Sequence, residues 1–273
     1  MELYISDLDG TLLDNKAEIT KETARLINSA VDKGACFTAA TARTFASVGK
    51  IMKDIKLRCP VILMNGVLIY DTQAKKYIFS AFLEPQTVCA ITASLRRHNA
   101  DPFVYTVQND CMHTYYEKLS SDAMIAFYEE RRRKYYKSFS RVDSLDDICK
   151  NNIIYFTLIN SYEALLPVYK EVSKLENVEI TFYRDVYSPE LWYIEIFSGC
   201  ASKKKAVEFL RDYLHPERII CFGDNLNDIP MFEAADHSIA VENAVAAVKE
   251  AADEIIGKNT DNAVAAYISE RFR

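Results

Sequence analysis

The chain has 273 residues and a formal net charge of −6, and 49% of its residues are hydrophobic while 26% are charged. These values are typical of a globular protein of one or two domains with a sizeable core. The acidic balance disfavours a general nucleic-acid binder, which would usually be basic. The N-terminus lacks the pattern of a signal peptide, and no stretch is apolar over the length that a membrane span needs.

The seven cysteines are scattered along the chain and form no C-x-x-C pair. This spacing predicts neither a zinc site nor a disulfide framework and is typical of reduced thiols. We therefore expect a cytoplasmic protein with no nucleic-acid or membrane partner. The sequence does not indicate an oligomeric state.

Apolar runs and helical patterns alternate at both ends of the chain. In the first part they predict strands at 3–6, 35–40 and 61–64 and helices at 20–34 and 44–55, with Thr20 as N-cap of the first helix and Gly34 at its end. In the last part they predict strands at 219–222 and 238–241 and helices at 203–213, 228–235, 244–252 and 261–272. This alternation is the signature of an α/β fold built on a parallel sheet.

The middle of the chain, from 84 to 189, is rich in tyrosine and phenylalanine. Its patterns predict strands at 103–107, 112–116, 153–159 and 178–183 and helices at 86–98, 121–134 and 163–175, the last only if Pro167 lies in its first turn. We therefore expect an α+β domain at 84–189, inserted into an α/β core formed by 1–83 and 190–273. Six aromatic residues are interpreted as core of the insertion rather than as a sugar-binding platform: Tyr115, Tyr116, Tyr183, Tyr187, Trp192 and Tyr193.

Two pairs of acidic residues follow predicted strands. Asp7 and Asp9 come directly after the first strand, and Asp224 and Asp228 come after the strand at 219–222. Either pair alone could be a simple turn. If the two strands are neighbours, the carboxylates converge at the carboxyl edge of the sheet, where like charges need a cation. Oxygen ligands favour a hard cation, so the sequence predicts Mg²⁺.

Four motifs follow one another along the chain: Asp7-Leu8-Asp9-Gly10-Thr11-Leu12, Thr41-Ala42-Arg43, Lys203, and Gly223-Asp224-Asn225-Leu226-Asn227-Asp228 with Met231. In this order they resemble the first to fourth motifs of the haloacid dehalogenase-like hydrolases, in particular their Cof-type branch with a type IIB α/β cap. The second motif is Thr-Gly-Arg in that branch. The resemblance implies a Rossmann-like, doubly wound parallel sheet with an inserted α+β cap domain.

The resemblance also implies roles for the acidic residues. Asp7 would be the nucleophile that forms an aspartyl-phosphate, and Asp9 would be the general acid and base. Mg²⁺ would be held by the Asp7 carboxylate, the Asp9 backbone carbonyl and Asp224. Asp228 would bind Mg²⁺ through a water molecule or would orient the other metal ligands.

Other residues are expected to bind the phosphate or the rest of the substrate. The resemblance implies that Thr41 and Lys203 contact the phosphoryl oxygens, although the run Lys203-Lys204-Lys205 by itself indicates a solvated helix start. Asn227 is a candidate phosphate contact, or else a helix cap. Ala42, in the second motif, is a further candidate for binding the phosphate or the substrate. Arg43 and Arg184 are candidates for recognising anionic groups. The chain departs from the family pattern where Gly is usual, at Ala42, Lys204 and Asn262.

These features predict a phosphoric monoester hydrolase that acts on small phosphorylated metabolites, including sugar phosphates. Two alternatives stay open: a phosphomutase of the same superfamily, and a non-catalytic phosphoaspartate signalling protein. Product analysis would separate the first, and stable labelling without turnover would indicate the second. The basic run at 131–134 is interpreted as a solvated helix face, and the sequence does not name the substrate.

Overall fold

The computed structural model describes residues 1–148, 152–185, 188 and 190–272. The interpretations of Cys149 and Tyr187 and the predicted boundary at Pro189 lie outside these residues. The chain divides into two compact units, the first formed by Met1–Phe79 and Ser202–Arg273 and the second by Ser80–Ala201. Within the described ranges, no helix combines the length and the apolar character that crossing a membrane requires.

The secondary structure follows the predicted alternation with additions. The strands are β1 (Glu2–Ser6), β2 (Cys36–Ala39), β3 (Val61–Leu63), β4 (Leu68–Asp71), β5 (Lys76–Ser80), β6 (Phe103–Gln108), β7 (Cys111–Tyr116), β8 (Ser140–Arg141), β9 (Ile153–Asn160), β10 (Val178–Arg184), β11 (Trp192–Ser198), β12 (Arg218–Gly223), β13 (His237–Val241) and β14 (Glu254–Ile256). The helices are α1 (Lys21–Asp32), α2 (Phe45–Ile51), α3 (Pro85–Arg97), α4 (Asp122–Tyr135), α5 (Tyr162–Val172), α6 (Lys203–Leu214), α7 (Ile229–Glu233), α8 (Ala246–Ala251) and α9 (Ala263–Arg271).

The first unit is built on a parallel sheet with the strand order β14-β13-β12-β1-β2. Its central strands are buried apolar runs, as a parallel sheet inside an α/β layer requires. Strand β1 pairs with β2 on one side and with β12 on the other. From β1 the chain continues to β2, so the order of the strands reverses between β1 and β12. Ser6 pairs with both Phe222 and Ala39, so the chain leaves all three strands at one edge. The predicted α/β fold class is confirmed.

Three features of the first unit were not predicted. Strand β3 meets the main sheet through the isolated bridge of Ala40 with Ile62, and it pairs antiparallel with β4. The sheet β3-β4-β5 and the edge strand β14 had no counterpart in the sequence analysis. These strands are short, and tertiary pairing rather than a strong alternating pattern forms them. By contrast, the predicted N-cap of α1 is confirmed, since the Thr20 side chain accepts from the Thr23 N–H.

The second unit is a six-stranded sheet in the order β10-β11-β9-β6-β7-β8, antiparallel except between β7 and β8. Helices α3 and α5 cover one face with a common apolar cluster that includes Ile91, Leu95, Val168, Phe156 and Ile194. The predicted boundaries need correction, because the division falls at 79/80 and 201/202. Residues 190–201 were assigned to the core, but strand β11, which was not predicted, pairs along both edges with β9 and β10 and belongs to the insertion.

Two expectations for the insertion were only partly right. Pro167 lies inside α5 and not in its first turn, which begins after the N-cap Ser161. Of the six aromatic residues, Tyr115 and Trp192 pack against the apolar cluster. Tyr183 does not belong to a closed core, because it is 42% exposed and stacks on Tyr193.

Candidate active site

The turn after β1 brings Asp7 to the edge of the parallel sheet. Asp7 is still extended, with φ −61° and ψ 160°, and its N–H donates to the Phe222 carbonyl at 2.9 Å. The chain then turns sharply through Gly10, which has φ +81°. A Cβ at Gly10 would collide with the Asp224 carboxylate. Glycine is therefore required here both by the backbone angle and by the space.

The turn after β12 places the second acidic pair beside Asp7. Thr11 Oγ1 donates to Asp224 Oδ1 at 2.8 Å, which ties the two turns together. Asp228 is fully buried, and its Oδ2 accepts from the N–H groups of Asp224 at 2.9 Å and Asn225 at 3.0 Å. These bonds fix the Asp228 carboxylate from the backbone of its own turn.

Lys203 is the buried cation of the site. It is the first residue of α6, whose N-cap Ser202 accepts from the Lys205 N–H at 3.1 Å. Its side chain is 1% exposed, and its Nζ lies 2.6 Å from Asp7 Oδ1 and 2.7 Å from Asp228 Oδ1. The alternative of a solvated helix start is wrong for Lys203. It describes Lys204, which pairs with Glu233 at the surface.

The charges of these groups are strongly coupled. Burial raises the pKa of Asp7 well above its usual range, and Asp228 and Asp224 add to this effect while Lys203 opposes it. Burial is also the main reason that the pKa of Asp224 rises to about 6. For Lys203, burial lowers the pKa, but the charges of Asp228 and Asp7 outweigh burial, so the net pKa is raised.

The donor set fits a hard divalent cation. Asp7, Asp224 and Asp228 each offer a carboxylate oxygen, and these oxygens lie within 4.8 Å of one another. One ammonium does not balance three carboxylates, and repulsion among the carboxylates adds to burial in raising the pKa values of Asp7 and Asp224. A divalent cation would supply it, and an all-oxygen set suits Mg²⁺.

Asp9 lies outside this carboxylate cluster and is held by Arg43. The guanidinium makes a fork, with Nε 2.6 Å from Asp9 Oδ2 and Nη2 2.6 Å from Oδ1. Arg43 Nη1 also donates to Ser47 Oγ at 3.1 Å in the first turn of α2. The Asp9 side chain is 50% exposed, so it can reach a ligand from solvent. Arg43, expected to recognise substrate, therefore also contacts the expected acid and base.

The second motif forms the turn after β2. Thr41 is buried, and its Oγ1 accepts from the Arg43 N–H at 3.1 Å, while Ala42 between them is exposed. Asn227 is exposed beside the acidic turn, and its Nδ2 lies 3.4 Å from Asn65 Oδ1. Arg184 is an exposed residue at the end of β10 in the second unit, and its substrate role stays a prediction.

Two supporting positions were missed by the sequence analysis. Asn65 and Gly66 follow β3 with φ +57° and +93°, and a Cβ at Gly66 would collide with the Ser202 carbonyl. This contact supports the start of α6 and therefore the position of Lys203. The Asn-Gly dipeptide signals a turn, but nothing local indicates what the turn packs against. Asn243 was also missed, and its Nδ2 donates to the Gly10 carbonyl at 2.7 Å.

Comparison with known proteins identifies the same family that the sequence motifs resemble. A model of the family described as haloacid dehalogenase-like hydrolase matches residues 4–268. The 5-amino-6-(5-phospho-D-ribitylamino)uracil phosphatase YwtE of Bacillus subtilis is 25% identical over 296 residues, covering 99% of this chain and 98% of the relative. The crystal structure of TM0651 from Thermotoga maritima has a TM-score of 0.80 at 26% identity, covering 98% and 96% of the two chains.

A further structural neighbour bears on the insertion. The structure described as the HAD subclass IIB sugar phosphatase BT4131 has a TM-score of 0.73 and covers 99% of each chain at 19% identity, which shows a shared fold. A parallel sheet with clustered carboxylates at its carboxyl edge defines a protein of the α/β class, and the family match makes it a hydrolase. This chain belongs to the haloacid dehalogenase-like hydrolase family, and the predicted resemblance, with its phosphatase class, is confirmed.

Proposed function

We propose that the chain hydrolyses phosphate monoesters of small metabolites, sugar phosphates among them, in a Mg²⁺-dependent reaction through an aspartyl-phosphate on Asp7. The observation that carries the proposal is the buried Asp7 carboxylate, bonded to Lys203 at 2.6 Å and clustered with Asp224 and Asp228. The relative YwtE is named for a phosphorylated ribityl compound, which supports a small phosphate ester as substrate.

In the first step an Asp7 carboxylate oxygen attacks phosphorus, and the bond from phosphorus to the ester oxygen breaks. Lys203 bonds to Oδ1 of Asp7, so it orients the carboxylate and leaves Oδ2 for the attack. Its ammonium also compensates negative charge on the phosphoryl oxygens. The Thr41 side chain, buried beside the edge, is proposed to bind a phosphoryl oxygen, and so is Asn227.

Asp9 is proposed to transfer the protons. It protonates the leaving oxygen in the first step and then takes a proton from the water that cleaves the aspartyl-phosphate, which releases inorganic phosphate. The Arg43 fork holds the Asp9 carboxylate in one orientation. An incoming phosphate offers Arg43 a second anionic partner, so substrate binding would loosen the fork and free the Asp9 side chain to turn toward the leaving oxygen.

Mg²⁺ is proposed to be held by the carboxylates of Asp7 and Asp224 and by the Asp9 backbone carbonyl. Asp228 is fixed by the N–H groups of residues 224 and 225 and by Lys203, so it is suited to orient this shell. When bound, Mg²⁺ would compensate the charge of the phosphoryl group and of the carboxylates.

The test is phosphate release from a panel of esters with Mg²⁺ by the wild type and by Asp7→Asn, which keeps the shape of the side chain. We expect the variant to lose about 10³-fold or more in kcat, because the amide is not a nucleophile. Acid-quenched wild type should carry label from a phosphate-labelled ester at Asp7. Equal release by both proteins would refute the nucleophile, and return of label to a second hydroxyl of the product would indicate a phosphomutase.

A further inference from the structure

Lys137 is a buried lysine in the second unit, just beyond α4. The helix ends at Tyr136, whose φ of +53° is left-handed, and the Lys137 N–H donates back to the Arg131 carbonyl at 3.3 Å. This turn directs the chain inward, and the lysine is only 8% exposed. Its burial therefore follows from the end of the helix, not from an apolar pattern.

The Lys137 ammonium contacts aromatic rings instead of acids. Its Nζ lies 4.1 Å from the centroid of the Tyr105 ring and 5.2 Å from that of Phe139. Across residues 1–148, 152–185, 188 and 190–272, no carboxylate lies within ion-pair distance of Lys137, and no atom accepts a hydrogen bond from its Nζ. Burial, with the charge of Arg131 as a second cause, holds the pKa of Lys137 well below its usual range.

The carboxylates near Lys137 have other partners. The Arg131 guanidinium lies 4.7 Å from the Phe127 ring centroid, and its Nη1 pairs with Glu130 at 3.0 Å. Glu195, whose charge acts on Tyr105, accepts a hydrogen bond from Thr181 Oγ1 at 3.3 Å. A buried ammonium is ordinarily paired, because contact with aromatic rings offsets only part of the loss of hydration. An anion beside Lys137 would supply the partner that the protein does not.

We propose that Lys137, assisted by Arg131, is the cation of an anion-binding site in the second unit, whose ligand is a carboxylate or phosphate group lying against the Tyr105 ring. The group can belong to a phosphorylated compound or to a separate small anion, and both sources share this chemistry. The inference rests on the proposed function in its choice of phosphorylated probes. Its test uses equilibrium binding, so its failure is distinguishable from an absence of turnover.

The experiment is calorimetric titration of the full chain without Mg²⁺ with three probes: 3-phosphoglycerate, glycerol 3-phosphate and glycerate. We expect the wild type to bind 3-phosphoglycerate at least about tenfold more tightly than glycerol 3-phosphate, since a hydrogen bond between charged groups is gained. Lys137→Met should lose this preference. Lys134→Met removes an exposed lysine from the last turn of the same helix and should keep it.

The outcomes of the titrations distinguish a phosphorylated compound from a separate small anion as the ligand of Lys137. Binding of glycerate by the wild type but not by Lys137→Met would identify a separate anion as the ligand. Binding of all three probes with the same affinities in the wild type and Lys137→Met would overturn the proposal. If Lys137→Met does not fold, acetylation of Lys137 in the wild type, followed by peptide mass spectrometry, decides. Protection by 3-phosphoglycerate and not by glycerol 3-phosphate supports the site, and equal modification with both overturns it.

Discussion

In the first unit Lys203 is buried between the carboxylates of Asp7 and Asp228, whereas in the second unit Lys137 is buried between two aromatic rings. Burial alone lowers the pKa of both lysines, yet the net pKa is raised for Lys203 and lowered for Lys137. The acidic partners of Lys203 account for the difference between the two pKa values. Lys203 is therefore held between Asp7 and Asp228, while Lys137 has no carboxylate within ion-pair distance among the residues that the structure describes.

The largest effect is expected from Lys203→Met, which removes the cation that joins Asp7 to Asp228. Loss of the phosphoryl contact and of the orientation of Asp7 should lower kcat by about 10³-fold. Two buried carboxylates would lose their partner, so the free energy of unfolding should fall by about 3–5 kcal/mol. Steady-state kinetics and urea denaturation measure the two quantities.

The matched control for Lys203→Met is Lys204→Met, which removes the next residue of the same helix and its exposed pair with Glu233. Such a surface pair contributes about 0–1 kcal/mol, so stability and kcat should stay close to the wild type. Similar losses in the two variants would contradict the assignment of Lys203 and would show that the basic run acts only as a whole.

A smaller effect is expected from Arg43→Gln, which removes the fork to Asp9 and leaves the carboxylate cluster intact. The lost orientation of a proton-transferring group should lower kcat by about tenfold to a hundredfold, within the range of general acid–base catalysis. The loss should appear in kcat rather than in KM, because the fork orients the Asp9 side chain.

Ser47→Ala is the control for Arg43→Gln, since it removes a different partner of the same guanidinium. We expect a change in kcat below about threefold, because the fork to Asp9 is kept. If Arg43→Gln raises KM for every ester and leaves kcat unchanged, Arg43 binds substrate and does not position Asp9.

The cluster of Asp7, Asp224 and Asp228 at the edge of the parallel sheet could be predicted from the sequence, because its position follows from the order of the strands. Asp7 and Asp224 each follow a buried strand, and neighbouring parallel strands end at one edge. Lys203 could not be chosen among three consecutive lysines by composition, since only the position of α6 decides which one turns inward. The motif resemblance supplied that choice.

Other features depend on contacts that no local pattern reveals. Gly66 is required because the Ser202 carbonyl approaches it from a distant part of the sequence. Residues 190–201 look like part of the core until the pairing of β11 with β9 and β10 is known. Lys137 stands next to a basic run in the sequence, and its burial depends on the left-handed residue Tyr136 that ends α4.

The last prediction concerns stability, where Lys137→Met should act in the direction opposite to Lys203→Met. The folded chain binds the Lys137 proton less tightly than the unfolded chain does, because the pKa of this lysine is lowered on folding. The lysine therefore reduces the stability of the wild type increasingly as pH falls below the unfolded pKa of about 10.4. Methionine has a similar shape and no charge, so the variant escapes this cost.

We expect Lys137→Met to raise the free energy of unfolding by about 1 kcal/mol or more at pH 6, since an apolar replacement of a buried charge is neutral or stabilising. The gain should shrink as pH rises toward 10, where the unfolded lysine also loses its proton. Urea denaturation of both proteins at several pH values measures this difference. A loss of stability at pH 6 that shrinks as pH rises past 10 would mean that the ammonium is paired within the fold, and the contrast with Lys203 would fail.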